Sequence, residues 1–334
     1  MSHSESSAIK FRRKIMKRIL CLAIVLVMAL SLMACNAGSK VMTMGTGGTA
    51  GTYYGYGGVL GQYIKNHAGI DVTVVSTGGS KANIQGIDAG DYQLGTVQSD
   101  VMTYAWNGTR SFEEDGKIQS FRVVAGLYAE AVQLVTVDPS IKSVADLKGK
   151  KVSIGAQGSG VYFNAMDVLK AAGLTEADIK PQYQSFADSA EALKNGQIEA
   201  AFVVAGAPTP AITELFATND AYLVPIDGEV AKNLMKENPF YTVYDIPAKT
   251  YGDKQTTAIT TVTVKATLIV SADASEEDVY KLTAAIFDHI ADITKENGKG
   301  AELSIENATS GMEVPFHAGA AKYFKEKGVE VKTA

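Results

Sequence analysis

The sequence predicts an α/β protein with mainly parallel sheets, divided into two lobes by strands that cross between them. Three observations carry this expectation. A short β-branched run, a turn of Gly, Ser and Thr, and a segment of helical period follow one another five times, and strands alternating with helices in this way build parallel sheets. Two longer β-rich runs, residues 131–137 and 261–270, lack such a turn and read as the crossing strands. The 334 residues, 46% hydrophobic and 20% charged, are enough to bury two cores.

The first unit places a strand at residues 41–44, a turn at 45–52 and a helix from about Tyr53 to Asn66. The second has its strand at 72–75, its turn Ser76-Thr77-Gly78-Gly79-Ser80 and a helix over 81–89 with Gly90 as C-cap. The third runs through strand 92–97 and Gln98-Ser99-Asp100 into a helix closed by Gly108. Ser143 and Asp146 have capping-box spacing and start a helix. The fourth unit then follows, with strand 151–154, turn 155–160 and a helix over 161–172 before Gly173. The fifth joins strand 200–204 through Gly206 and Pro208 to a helix in which Pro210 suits the first turn. Gly196 ends a further helix, and residues 276–296 read as one long amphipathic helix. Lobe 1 is therefore expected to comprise residues 41–130 and 255–334, and lobe 2 residues 131–254.

Residues 1–34 have the layout of an export signal, with Lys10, Arg12, Arg13, Lys14, Lys17 and Arg18 ahead of a 15-residue apolar run. That run is shorter than the roughly 18–20 residues that span a bilayer as a helix. Leu32-Met33-Ala34-Cys35 resembles a bacterial lipobox, which makes Cys35 the expected lipidation site and residues 35–40 a polar tether. Cysteine usage agrees, since the only other cysteine, Cys21, lies inside the signal. The expected location is extracytoplasmic, on the outer face of the cell membrane through the lipid anchor or in the periplasm.

Removing residues 1–34 takes 6 of the 31 basic and 1 of the 36 acidic residues, leaving 25 against 35. Such an acidic chain argues against a nucleic-acid partner. Gly45-x-Gly47-x-x-Ala50 fits a dinucleotide-binding pattern, but the acidic residue expected near position 76 is a serine. Ser159 lacks the flanking glycines of a nucleophile elbow. His67, His289 and His317 are too widely spaced for a short metal motif. No catalytic residue, metal ligand or cofactor is therefore expected.

The remaining candidates are main-chain N–H groups at helix N-termini, with small polar side chains around them. Glycine lets a ligand approach the backbone closely, and a helix N-terminus carries about half a positive charge. Such a site takes an anion without arginine, and only Arg110 and Arg122 remain beyond the signal. Ligands of open parallel sheets bind outside the carboxyl ends of the strands, where these turns converge.

Several motifs in order resemble one family. They include residues 45–54, Ser76-Thr77-Gly78-Gly79-Ser80 with Asn83, Val97-Gln98-Ser99-Asp100, Leu127-Tyr128-x-Glu130, Gly158-Ser159-Gly160, Ala205-Gly206-x-Pro208-Thr209-Pro210 and Pro239-Phe240-Tyr241. Over residues 41–327 the chain resembles the TAXI family of TRAP-transporter solute receptors. Gly55, Tyr56 and Ala131 depart from the residues usual in that family. The resemblance implies a two-lobed, type II periplasmic-binding-protein fold, a glutamate, glutamine or related dicarboxylate ligand, and delivery to TRAP permease membrane subunits by a monomeric receptor.

The expected mechanism is hinge closure over a ligand between the lobes. Gly47, Gly48 and Thr49 would present N–H groups to a carboxylate, with the hydroxyls of Thr46, Thr52 and Ser80 around it. Thr77, Gly79 and Ser99 belong to the same turns. Asn83 and Gln98 would bond the polar end, and Ser159, Gly160 and Gly206 would close from the other lobe, with Tyr53 and Tyr162 as walls. Glu130 would accept the ammonium of an amino acid. Competing classes are a ligand-sensing lipoprotein signalling to a membrane kinase and a secreted enzyme.

Overall fold

The computed structural model describes residues 40–334. The export signal, the cut at Cys35 and all of the tether before Lys40 lie outside the described residues.

In chain order the elements are β1 (Lys40–Gly45), α1 (Thr52–Ala68), β2 (Ile70–Val75), α2 (Ser80–Asp88), β3 (Leu94–Gln98), α3 (Ser99–Asn107), β4 (Phe121–Thr136), β5 (Lys151–Ser153) and α4 (Val161–Ala171). They continue with β6 (Lys180–Gln182), α5 (Phe186–Lys194), β7 (Ala200–Ala205), α6 (Pro210–Thr218), β8 (Tyr222–Val224), α7 (Gly228–Glu237), β9 (Thr242–Ile246) and β10 (Ile259–Ser271). The last helices are α8 (Glu276–Phe287), α9 (Ile290–Glu296), α10 (Ile305–Thr309) and α11 (Ala318–Glu326).

One sheet runs in the order β2-β1-β3-β10-β4-β7-β5-β6, with β8 added to β4 and β9 to β10. Each flank is parallel where the βα units predict it: β1 pairs with β3, and β5 with β6 and β7. The two long strands are the exception. β10 runs antiparallel to β3 and β4, and β4 antiparallel to β7. Both crossing strands are present, and β4 starts ten residues before the expected run at 131, because residues 121–130 pair with β10.

The core changes along these two strands. Up to Tyr128 on β4, and from Ala266 on β10, buried side chains join one cluster that includes Leu60, Ile84, Leu282 and Phe324. Ala131, Val132 and Val264 instead join clusters built on β5, β7, α4 and α6. Burying each large apolar side chain contributes about 1.5–3 kcal/mol. In α1 the buried positions Tyr56, Leu60, Tyr63 and Ile64 recur at helical spacing, and the helix ends at Gly69 with φ 70°, whose N–H bonds Lys65 O.

Three local expectations change. Ser143 and Asp146 do form a capping box, but over a short 3-10 turn, Val144–Leu147. The helix expected over 276–296 breaks after Phe287. At the break Asp288 is held by the Tyr323 hydroxyl at 2.8 Å and by Lys327 at 2.9 Å, and His289 stacks on His67 with ring centroids 3.6 Å apart. Strands β6, β8 and β9 have no counterpart in the sequence pattern, since each is short and borrows its order from a longer neighbour.

Candidate functional site

Four helices, α1 to α4, begin around one cavity of ≈ 170 Å³. Their N-cap residues, Gly51, Gly79, Gln98 and Gly160, all line it, and none makes a side-chain capping hydrogen bond. A fifth N-cap on the lining, Ser185 of α5, does cap its helix, as Ser275, Ser304 and His317 do elsewhere. The first N–H groups of a helix have no partner inside it, so four positive helix ends without side-chain caps aim donors at one small volume. An apolar cavity of about 150 Å³ holds benzene, so this one suits a solute of roughly six to ten non-hydrogen atoms.

The turns are braced from behind. Thr46 donates to Val75 O at 2.6 Å, and Asn83 Nδ2 donates to Thr46 O at 2.6 Å and Thr96 O at 2.7 Å. Thr77 donates to Asn83 Oδ1 at 2.6 Å and accepts the N–H of Gly79 at 3.1 Å. Gly79 has φ 104°, a conformation that a β-carbon disfavours. Ser80 Oγ accepts the N–H of Gln98 at 3.1 Å, and Ser159 donates to Ala156 O at 2.7 Å.

Eleven of the residues expected at the site line the cavity: Gly47, Gly48, Thr52, Tyr53, Thr77, Gly79, Ser80, Gln98, Glu130, Ser159 and Gly160. Six do not. Thr46 and Asn83 are fully buried braces of the turn, and Thr49 is exposed on its outer side. Ser99 faces the other way and accepts the N–H of Lys265 at 3.2 Å. Tyr162 donates to Glu176 at 2.9 Å on the far side of α4. Gly206 lies behind the wall and accepts the hydroxyl of Thr52 at 2.8 Å.

Gly78 and residues 184–186, with Ala156, Val161, Val204 and Ala205, complete the lining. Sequence reasoning missed residues 184–186 because that turn contains no glycine, although Ser185 and Asp188 have visible N-cap spacing. Phe186, Val161 and Val204 make this wall apolar, which strengthens any polar contact made inside it.

Glu130, on β4, is the single carboxyl on the lining among the described residues and is 2% exposed. Tyr53 donates to its Oε2 at 2.6 Å. Burial pushes the carboxyl up to about 8, the Tyr53 bond pulls it down, Asp100 adds to the rise and Lys299 opposes it. The Tyr53 hydroxyl in turn is raised well above its ordinary value, first by burial and then by Glu130.

One side of the cavity is closed by a buried polar network between the two flanks of the sheet. Gln98 donates to Asn164 Oδ1 at 2.6 Å, and Asn164 Nδ2 donates to Asp100 at 2.9 Å and to the Tyr241 oxygen at 2.7 Å. Tyr241 donates to Asp167 at 3.2 Å, and Arg110 grips Asp167 at 2.6 and 3.3 Å. On the other side Ala211 N–H donates to Ala50 O at 3.1 Å, next to the Thr52–Gly206 bond. Both edges are therefore bridged.

Residues 44–328 match the NMT1-like family. A 69-residue stretch is 41% identical to an Escherichia coli K12 protein described as aliphatic sulfonates-binding, and that match spans 21% of either chain. Among solved structures, a Bordetella bronchiseptica RB50 protein is similar with a TM-score of 0.52 and 19% identity, over 85% of this chain and 88% of that one. The alkanesulfonate-binding protein SsuA from Xanthomonas axonopodis pv. citri, bound to MOPS, is similar with a TM-score of 0.50 and 16% identity, over 87% and 92%. At these identities the likeness is one of fold, and it agrees with the α/β, two-lobed class.

Proposed function

The chain belongs to the NMT1-like family, and from that premise and the cleft geometry we propose that it is the extracytoplasmic solute-binding receptor of a membrane transporter. It captures a small carboxylate between two lobes, residues 41–130 with 255–334 and residues 131–254, and delivers it to the permease. The observation that supports this reading most is the convergence of four helix N-termini without side-chain caps on one cavity. A cavity lined by a neutral-prone carboxyl and small hydroxyls, without Lys, Arg or His among its lining residues, binds by main-chain donors.

The TAXI motifs favour a TRAP permease as the partner and glutamate, glutamine or a related dicarboxylate as the cargo. The lipobox favours Cys35 as the point of attachment, with the receptor held at the outer face of the membrane. A second reading, a sulfonate cargo, is favoured by the 69-residue match. Both cargoes place an anion on the same helix ends.

A thermal-shift screen separates them. With L-glutamate, L-glutamine, glutarate and ethanesulfonate as probes, one carboxylate is expected to raise the melting temperature. At one hundred times its Kd the stabilisation is about 2.7 kcal/mol, or roughly 4 °C for a domain of this size. A response to ethanesulfonate alone would select the second reading, and a flat panel would reject both.

A further inference from the structure

Glu130 is a buried carboxyl that lacks a cationic partner among the described residues. Tyr53, from α1, takes one oxygen, and no Lys, Arg or His is among the residues lining the cavity that its carboxyl faces. The charged and titratable groups around it come from four elements: Tyr53 on α1, Asp100 on α3, Tyr128 on β4 itself, and Lys299 on the turn Gly298–Glu302. Lys299 is already paired with Glu302 at 2.5 Å. Asp100 carries the same sign as Glu130, and the two tyrosines offer no positive charge. A second acceptor among the lining residues, Gln184 Oε1, is buried and has no hydrogen-bond partner among the described residues.

Two residues whose carboxyl or amide oxygens need donors thus belong to a cavity at which helix N-termini converge. Resting on the receptor reading, we propose that the ligand brings an ammonium group to Glu130 and that its capture expels one proton from this carboxyl to solvent. The anionic end of the ligand then lies on the helix ends, and the cationic end lies between Glu130 and Gln184.

The balance is simple. A neutral Glu130 –COOH and a ligand –NH₃⁺ become a carboxylate–ammonium pair plus one H⁺ in the buffer. In this arrangement of the cleft, without ligand, burial raises the Glu130 carboxyl to about 8. A bound ammonium favours the charged carboxylate. Between those two limits the complex holds one proton fewer than the free protein, so affinity rises as pH rises, about tenfold per unit, and levels off near pH 8. An anion without an ammonium behaves oppositely. It accepts a hydrogen bond from the neutral carboxyl and loses affinity once that carboxyl ionises.

Calorimetric titration of the purified protein tests this with L-glutamate, L-glutamine, glutarate and ethanesulfonate, each in cacodylate and in imidazole at pH 6.5. The difference in heat between the two buffers counts protons. The expected result is release of about one proton per amino acid bound, with affinity about tenfold higher at pH 7 than at pH 6. Glu130→Gln is expected to abolish that slope, and Tyr53→Phe to keep it while moving its end to higher pH. Amino-acid binding without proton release, or binding confined to glutarate or ethanesulfonate, would overturn the inference and leave the receptor reading standing. Failure of all four probes to bind would overturn both.

Discussion

Gly160→Ala is expected to weaken capture of the cognate ligand by at least about 30-fold, or 2 kcal/mol. A β-carbon at Gly160 would lie 1.6 Å from Gln98 Oε1 and 2.7 Å from Val101 Cγ2. Gln98 cannot simply swing aside, because its amide is bonded to the fully buried Asn164. Nor can Val101, which is fully buried on α3. The turn that carries the N-terminus of α4 must therefore back away from β3 and α3, and the cavity opens. Overpacking of this kind costs about 1–3 kcal/mol, and here the cost falls on the closed form, because the clashing groups belong to opposite flanks of the sheet. Gly58, on the exposed face of α1, supplies the control, since a β-carbon added there would meet no atom within 4 Å. Gly58→Ala is expected to leave affinity unchanged and to stabilise the helix by about 0.5–1 kcal/mol. Calorimetry and thermal melts of the two variants check this; equal ligand affinities would mean that closure does not seat Gly160 against Gln98.

Asn164→Leu is expected to be the most destabilising single change in the network. Leucine keeps the branched shape, though it is bulkier, and removes the acceptor of Gln98 and the donors to Asp100 and Tyr241. Asp100 is 1% exposed, and its Oδ1 already lacks a partner among the described residues. Burial pushes this carboxyl up to about 6 even with the Asn164 bond pulling it down, so losing that bond raises it further. Each buried polar group left without a partner costs about 1–3 kcal/mol. Gln98 and Asp100 lose theirs, while Tyr241 keeps Asp167, which gives a loss of roughly 4 kcal/mol and a melting temperature lower by about 6 °C. On the same helix, Lys170→Ala breaks an exposed pair with Glu237 and is expected to change stability by less than about 0.5 kcal/mol. A small effect of Asn164→Leu in urea titrations would show that the network is solvated.

Much of the architecture is legible because glycine and hydrophobic period mark it locally. Gly69, Gly108 and Gly173, each at positive φ, stop helices close to where the pattern ends. The break at Asp288 has no such mark, since Tyr323, Lys327 and His67 impose it from distant parts of the chain. The same division runs through the site. Gly47, Gly79 and Gly160 announce close backbone approach, and they do line the cavity. Thr46 and Asn83 sit in the same motifs yet serve the turn itself, because a tight turn needs side chains to satisfy its own carbonyls. Gln184 and Phe186 belong to the wall without any glycine nearby. The pairing of Gln98 and Asp100 with Asn164, some 64 residues or more along the chain, exists only once α4 docks against α3.

Amide hydrogen exchange on the protein with and without its best-binding probe tests the central claim most directly. Slower exchange is expected together at the three glycine turns, in peptides covering residues 47–53, 79–83 and 158–163, while the outer face of α7 stays unchanged. Saturating ligand that leaves all three turns exchanging as before would show that the solute binds elsewhere and that these helix ends do not hold it.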